Sequence, residues 1–201
     1  VSSRNTVNLC EISGWLATCT FTCHTILVLQ LLVACLVWCQ YGGMAEELYS
    51  DFGVIAWRED SQWSVAQLTD TDELGAIMDQ VIAKSRQYGG AIALVAISED
   101  FFIVAREIGT EMKMMISDAT FALENDLAVD LLEMLDLPFP EEDDDSQPGG
   151  DVDLLADLGI NDMELEAIAA DTELFPDEAI EAIANRLGFG SEFTDLYENG
   201  E

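Results

Sequence analysis

Thiols and an imidazole are the side chains best suited to nucleophilic, redox or metal chemistry, and in this chain they all lie before position 44. Two groups of them, Cys19-x3-Cys23-His24 and Cys35-x3-Cys39, have the spacing of zinc ligands that arrive from two elements. Zinc knuckles are polar and rich in loops, whereas these cysteines stand in an apolar run. We therefore predict neither a metal site nor a cofactor. The complete set is Cys10, Cys19, Cys23, Cys35, Cys39 and His24.

The segment around these cysteines is uncharged across residues 15–39, a length that could span a bilayer. His24 and four threonines interrupt its first half, so the strongly apolar run is confined to Ile26–Cys39. A tetrapeptide ending at Cys35 also has the form of a lipoprotein processing box. Two interpretations follow. The first 43 residues are an upstream extension of a natural polypeptide that begins at Met44, which we favour, or they anchor the protein in a membrane by one span or a lipid.

Charge is confined to the rest of the chain. The first 43 residues are neutral, and the remaining 158 carry 6 Lys+Arg against 39 Asp+Glu, which accounts for the whole net charge of −33. Because nucleic-acid affinity depends on cations that neutralise phosphates, this composition argues against direct binding of RNA or DNA and favours a basic protein partner. The lack of cysteine after Cys39 fits a reducing compartment, so we predict a cytoplasmic protein.

Residues 50–137 have the pattern of an α+β domain. A β-hairpin is predicted from Phe52–Arg58 and Gln62–Leu68, which flank a polar turn. Apolar residues at helical spacing follow, from a capping-box-like Asp70 and Glu73 to a glycine pair. Three further strands are predicted, separated by turns short enough to make them antiparallel neighbours. They are Ala91–Ile97, Phe101–Ile108 and Glu111–Ile116.

A second helix is predicted after these strands. Ser117-Asp118-Ala119-Thr120 offers cap residues, an apolar face follows at helical spacing, and Leu137-Pro138 ends the helix. The element order is therefore ββαβββα, an antiparallel sheet of about five strands with two helices on one face. Residues 1–43 would add a hydrophobic helical extension.

Residues 138–150 are predicted to be a flexible linker, because they contain three of the four prolines, five consecutive acids and a glycine pair. Residues 151–197 then predict a small all-α module. Residues 141–201 hold 20 acids and one base, so the exposed faces of that module must be almost purely carboxylate. The predicted helix boundaries are an end at Gly159, a start at Asn161, a start at Pro176 and an end at Gly188.

Four side chains are candidates for contact with a partner. Trp57 would anchor an interface if it were exposed, although a strand position favours core packing. Arg58 and Arg106 are scarce cations that could receive a partner's carboxylate, although pairing with a local acid is the interpretation we favour. These acids are Glu59, Glu107 and Asp60. Asp118 is the first carboxylate to consider for acid–base chemistry, because it lies where a strand passes into a helix, but a plain N-cap is the interpretation we favour. No residue is assigned as catalytic.

Motifs spread over residues 44–196 share the pattern of one family. In these motifs the chain resembles the actinobacterial tRNA adenosine deaminase-associated proteins. Members of that family begin near the position of Met44, which supports the interpretation of an upstream extension. The resemblance implies association with the deaminase and implies no activity of the protein's own. The motifs are Phe52-Gly53-Val54-Ile55-Ala56-Trp57-Arg58-Glu59-Asp60, Ser117-Asp118-Ala119-Thr120, Leu135-Asp136-Leu137-Pro138, Asp153-Leu154-Leu155-Ala156-Asp157-Leu158-Gly159 and Arg186-Leu187-Gly188-Phe189-Gly190.

The chain lacks the residues of a zinc nucleoside deaminase, which needs His-x-Glu and Pro-Cys-x-x-Cys to hold the metal and place a general acid. His24 is followed by Thr25 and Ile26, and no Pro-Cys pair occurs. We therefore predict a non-enzymatic acidic accessory protein of tRNA modification, with the deaminase as its basic partner. Two alternatives remain: a membrane-anchored acidic protein, and an enzyme of unrecognised type that uses carboxylate chemistry at Asp118.

Overall fold

The computed structural model describes residues 51–200, and every element below lies in that range. The cysteine groups with zinc-like spacing and the candidate membrane segment come earlier in the chain and lie outside the described residues. Among the helices that the structure describes, none combines the length and the apolar character needed to cross a bilayer.

A β-hairpin begins the described chain, as predicted. Strand β1 (Phe52–Glu59) pairs antiparallel with β2 (Gln62–Gln67). The turn residues Asp60 and Ser61 have φ angles of 51° and 69°, the left-handed conformation that a two-residue hairpin turn requires. Aspartate adopts this conformation more readily than most residues, because its short side chain can bond the local backbone.

Helix α1 (Leu74–Tyr88) follows the hairpin and ends where the glycine pair predicted. Gly89 has a φ of 86°, and its N–H donates to the Ser85 carbonyl. The predicted capping box is wrong. Glu73 is itself the N-cap residue and its side chain makes no cap bond, so α1 begins later than the capping pattern indicated.

The sheet has six strands. Strands β3 (Ala91–Ile97), β4 (Phe101–Ile108) and β5 (Glu111–Ile116) have the predicted bounds and are antiparallel. The sixth strand, β6 (Gly149–Gly150), pairs with β5 and comes from the end of the stretch predicted as a linker. The order across the sheet is β2-β1-β3-β4-β5-β6. The α+β fold class with an antiparallel sheet is thus confirmed, with one more short strand than predicted.

The first face of the sheet is covered by α1 and by helix α2 (Asp126–Met134). Asp118 caps a short 3₁₀-helix, Ala119–Leu123, and not α2. The side chain of Asn125 caps α2 instead, because its oxygen accepts from the Leu127 N–H at 2.9 Å. The buried residues of this face include Ile55, Ala93, Val95, Ile103, Ile77, Val81, Leu127, Leu131 and Leu132.

The second face of the sheet is covered by the C-terminal helices. These are α3 (Asp162–Ala169), α4 (Pro176–Leu187) and α5 (Gly190–Gly200), the last of which was not predicted. The helix predicted to end at Gly159 is only a short 3₁₀-helix, Ala156–Leu158. Because both faces are covered, all seven residues of β3 are buried. The buried residues of the second face include Val54, Ala56, Ile92, Leu94, Phe102, Val104, Leu155, Leu165, Ile180, Ile183 and Phe189.

Candidate interaction surface

Trp57 belongs to the core of the first face. Its side chain is only 8% exposed, and its ring stacks on Tyr88 with 5.3 Å between the ring centres. The Lys84 Nζ lies 3.5 Å from the centre of the same ring, a cation–π contact of about 0.5–2 kcal/mol. Trp57 therefore joins β1 to the last turns of α1 and does not present a surface to a partner.

Arg58 is exposed and forms no ion pair with a described residue. Its guanidinium carbon lies 4.6 Å from the centre of the Trp63 ring. Trp63 in turn donates from Nε1 to the Leu187 carbonyl at 3.0 Å and packs against Phe189. This cluster fastens the edge strand β2 to the C-terminal end of α4.

Arg106 is committed to a long-range ion pair. Its guanidinium donates to both carboxylate oxygens of Asp157, 51 residues later, and also to the Leu154 carbonyl at 3.0 Å. The local pairing expected with Glu107 is therefore wrong. The hydrogen bond from Arg106 lowers the pKa of the Asp157 carboxyl, and the positive charge adds to this effect, while desolvation opposes it. Arg106 is only 15% exposed, and its guanidinium joins β4 to the segment before α3.

Asp118 is a half-buried cap residue at the end of β5. Its Oδ1 accepts from the Thr120 N–H at 2.9 Å and from the Thr120 hydroxyl at 2.7 Å. The N-cap interpretation is thus what the geometry supports. The same residue also lines a surface cleft.

The six lysines and arginines of the described residues share one end of the sheet, which we call the basic end. Here β1 and β4 finish, and β2, β3 and β5 begin, because Arg58 pairs with Trp63 and Arg106 pairs with both Ile92 and Lys113. The remaining cations lie in the last turns of the helices that finish there. They are Lys84 and Arg86 in α1, and Arg186 in α4.

Local acids neutralise much of the basic end. Lys113 pairs with Asp151 at 2.6 Å, and Arg186 pairs with Glu164 at 2.5 Å. Both hydrogen-bonded carboxylates raise the pKa of the cation they face. Together with the pair between Arg106 and Asp157, these ion pairs fix the C-terminal part of the chain to itself or to the sheet.

The opposite end of the sheet carries no lysine or arginine within residues 51–198, and we call it the acidic end. Here β1 and β4 begin, and β2, β3 and β5 finish. Its carboxylates come from the segments that leave or enter those strands, so distant parts of the sequence contribute to one surface. They are Asp51, Asp70, Asp72, Glu73, Glu99, Asp100, Asp118 and Asp171.

A cleft of about 190 Å³ opens at the acidic end, and we call it the acidic cleft. Its lining comes from the β3–β4 turn, the start of β4, the end of β5, Ser146, the end of α3 and the start of α4. Carboxylates contribute the rim, while half-buried or buried apolar residues contribute the floor. The rim residues are Glu99, Asp100, Asp118 and Asp171, and the floor includes Ile168, Leu174, Pro176 and Ala179.

Comparisons with known proteins find a family model and a relative that match this chain. A family described as Rv3753c-like tRNA adenosine deaminase-associated protein matches residues 51–190. The chain belongs to this family. Protein Rv3753c of Mycobacterium tuberculosis (strain ATCC 25618 / H37Rv) is 30% identical over 152 residues, which is 73% of this chain and 87% of that protein. No solved structure matches the chain.

The sequence motifs that resemble the family lie on both faces of the sheet. The motif at 153–159 supplies Asp157 to the ion pair with Arg106, and the motif at 186–190 supplies the Leu187 carbonyl that Trp63 binds. Neither contact could be read from spacing, since 51 and 124 residues separate the partners. Of the four predicted site residues, only Asp118 lies at the acidic end. The other three lie at the basic end, where each contacts a residue of another element.

Proposed function

We propose that this protein is a non-enzymatic accessory protein of the cytoplasm that binds tRNA adenosine deaminase through its acidic end. The observation that carries the proposal is the separation of charge. Every described lysine and arginine lies at the basic end, where most already contact an acid or an aromatic ring, while no described lysine or arginine forms an ion pair with the carboxylates of the acidic end. The family description, which names association with the deaminase, supports the choice of partner.

An enzyme that binds tRNA must present lysines and arginines to phosphates, since those contacts supply most of its affinity. A surface of carboxylates fixed on a rigid sheet complements such a face and accelerates encounter by electrostatic steering. The accessory protein would therefore compete with tRNA for the same basic surface. The fraction of deaminase in complex with the accessory protein would then set how much of the enzyme can bind tRNA.

The absence of enzymatic activity is part of the proposal, and two observations support it. The sequence has neither the His-x-Glu nor the Pro-Cys-x-x-Cys motif that a zinc deaminase uses. Asp118 is the carboxylate best placed for acid–base chemistry, and it acts as a helix cap. Its Oδ1 accepts two hydrogen bonds from Thr120.

Co-purification tests the proposal. The full chain, immobilised by an affinity tag, is mixed with purified tRNA adenosine deaminase of the same organism at about 50 mM and at about 1 M NaCl. We expect retention of the deaminase at the lower salt and loss at the higher salt. Added tRNA should release the retained deaminase, because both ligands need the same face. A basic protein of similar size and pI is the control for charge alone, and no retention of the deaminase at low salt would refute the proposal.

A further inference from the structure

We propose that the acidic cleft receives a single arginine side chain of a basic protein partner. This inference rests on the proposed function, because it names the feature by which the acidic end would recognise that partner. At about 190 Å³ the cleft is smaller than the roughly 300–1,000 Å³ of sites that hold drug-sized ligands. It suits one long side chain and not a nucleoside.

The floor of the cleft favours a side chain with an apolar stem. Ile168 and Leu174 are half-buried, and Pro176 and Ala179 are buried, so they form an apolar groove between α3 and α4. Arginine covers apolar surface with its methylenes and with the faces of its guanidinium while the charge stays at the edge.

The rim of the cleft favours a cation with several donors. Glu99 and Asp100 form no ion pair with a described residue, and both are exposed. Asp118 and Asp171 each use Oδ1 for a backbone N–H, and no described residue donates to their Oδ2 atoms. These carboxylates do not converge as a metal site would, since no group of three or more in the described residues is placed to hold an ion. A planar guanidinium with five donors can reach carboxylates that stand around a rim, whereas an ammonium concentrates its charge at one point.

The probe for the experiment is N-acetyl-arginine methylamide, added to the ¹⁵N-labelled full chain and followed by amide chemical shifts. We expect saturable shifts at Asp100, Asp118 and Thr172. The citrulline analogue has the same shape without the charge and should cause none, and the lysine analogue should bind more weakly. Equal shifts with the citrulline analogue, or shifts spread evenly over exposed acids at both ends of the sheet, would overturn the inference.

Two matched double variants separate the cleft from the overall charge. Glu99→Gln with Asp171→Asn removes two rim charges, and Glu59→Gln with Glu111→Gln removes two exposed charges at the basic end. The first should weaken binding of the arginine probe by about five- to tenfold, as expected from two partly screened charge contacts. The second should leave it unchanged. Equal weakening in both variants would assign the binding to net charge and sink the inference.

The deaminase distinguishes this inference from the proposed function. If the full chain retains the deaminase and the rim variant retains it equally well, without binding arginine, then the cleft inference fails and the proposed function stands. If the arginine probe binds the cleft but the full chain does not retain the deaminase, the proposed function fails and the cleft remains a receptor for arginine in another partner.

Discussion

Asp118 caps a 3₁₀-helix and also lines the acidic cleft, and its contribution to the stability of the fold can be measured directly. Its Oδ1 accepts two bonds from Thr120, so Asp118→Ala should lower the free energy of unfolding by about 0.5–2 kcal/mol. Asp118→Asn keeps an acceptor oxygen and should lower the free energy of unfolding by only a few tenths of the loss expected for Asp118→Ala. Denaturant titration measures both, and Asp130→Ala on the exposed face of α2 is the control. If Asp118→Ala left stability unchanged, the cap interpretation would be wrong.

The ion pair between Arg106 and Asp157 makes stability depend on pH in one direction. The folded-state pKa of Asp157 is lowered, so the unfolded chain takes up this proton first as pH falls. The pair is fully stabilising above about pH 5 and loses its effect as pH falls below about 4 and through the lowered pKa. Because the Asp157 side chain is 62% exposed, solvent screens the pair, and we expect about 1 kcal/mol at most.

Asp157→Asn tests this pH dependence. At neutral pH the variant should unfold at lower denaturant concentration than the parent protein, and the difference should shrink towards zero in acid. Asp130→Asn, which removes an exposed carboxylate without an ion pair, should show no such convergence. A difference that grew on acidification would contradict the assigned sign.

At the scale of elements, Gly150 shows why the sixth strand needs glycine. Its φ is 97°, and an added Cβ would meet the backbone of Met114 and Met115 in the neighbouring strand, which cannot move away. Gly75 differs, because it lies in α1 with open space around its Cβ position. Gly150→Ala should therefore lower the free energy of unfolding by about 1–3 kcal/mol. Gly75→Ala should raise it by up to about 1 kcal/mol.

The test is whether these two substitutions change stability in opposite directions, since each replaces a glycine with alanine. Thermal unfolding followed by far-ultraviolet circular dichroism measures each shift in Tm. A rise in Tm for Gly150→Ala would mean that β6 is not held against β5 as the structure shows, and a fall in Tm for Gly75→Ala would mean that a Cβ at this position of α1 does not have open space around it.

The elements that could be predicted are those with strong local signals. Strands β3, β4 and β5 alternate or run apolar between short polar turns, and their bounds were predicted correctly. Strand β6 carries no such signal, because two glycines pair only where β5 already offers an edge. The sequence of β3 did carry a signal for the helices on the second face of the sheet. Ile92 and Leu94 point opposite to Ala93 and Val95, so β3 is apolar on both faces and needs cover on both.

At the scale of the whole molecule, the candidate site could not be predicted because it depends on register. Glu99, Asp118 and Asp171 are far apart in sequence and meet only because antiparallel strands return to the same end of the sheet. The excess of acid was visible from composition, but its separation from the cations was not. Lys113 and Arg186 enclose a stretch with no lysine or arginine, and the fold brings both of these cations to the basic end.

A net charge of −33 also predicts how the whole protein responds to salt. Repulsion among carboxylates opposes the compact state, while the three ion pairs of the described residues are partly exposed and each contributes little. Screening should therefore relieve more repulsion than attraction, and NaCl should raise Tm, by about 2–4 °C for each kcal/mol gained. Replacing the exposed run Glu141–Asp145 with glutamine and asparagine should make Tm less sensitive to NaCl, since five charges are removed without loss of packing. If NaCl lowered Tm, attraction between the basic end and its acids would dominate the electrostatics of the fold.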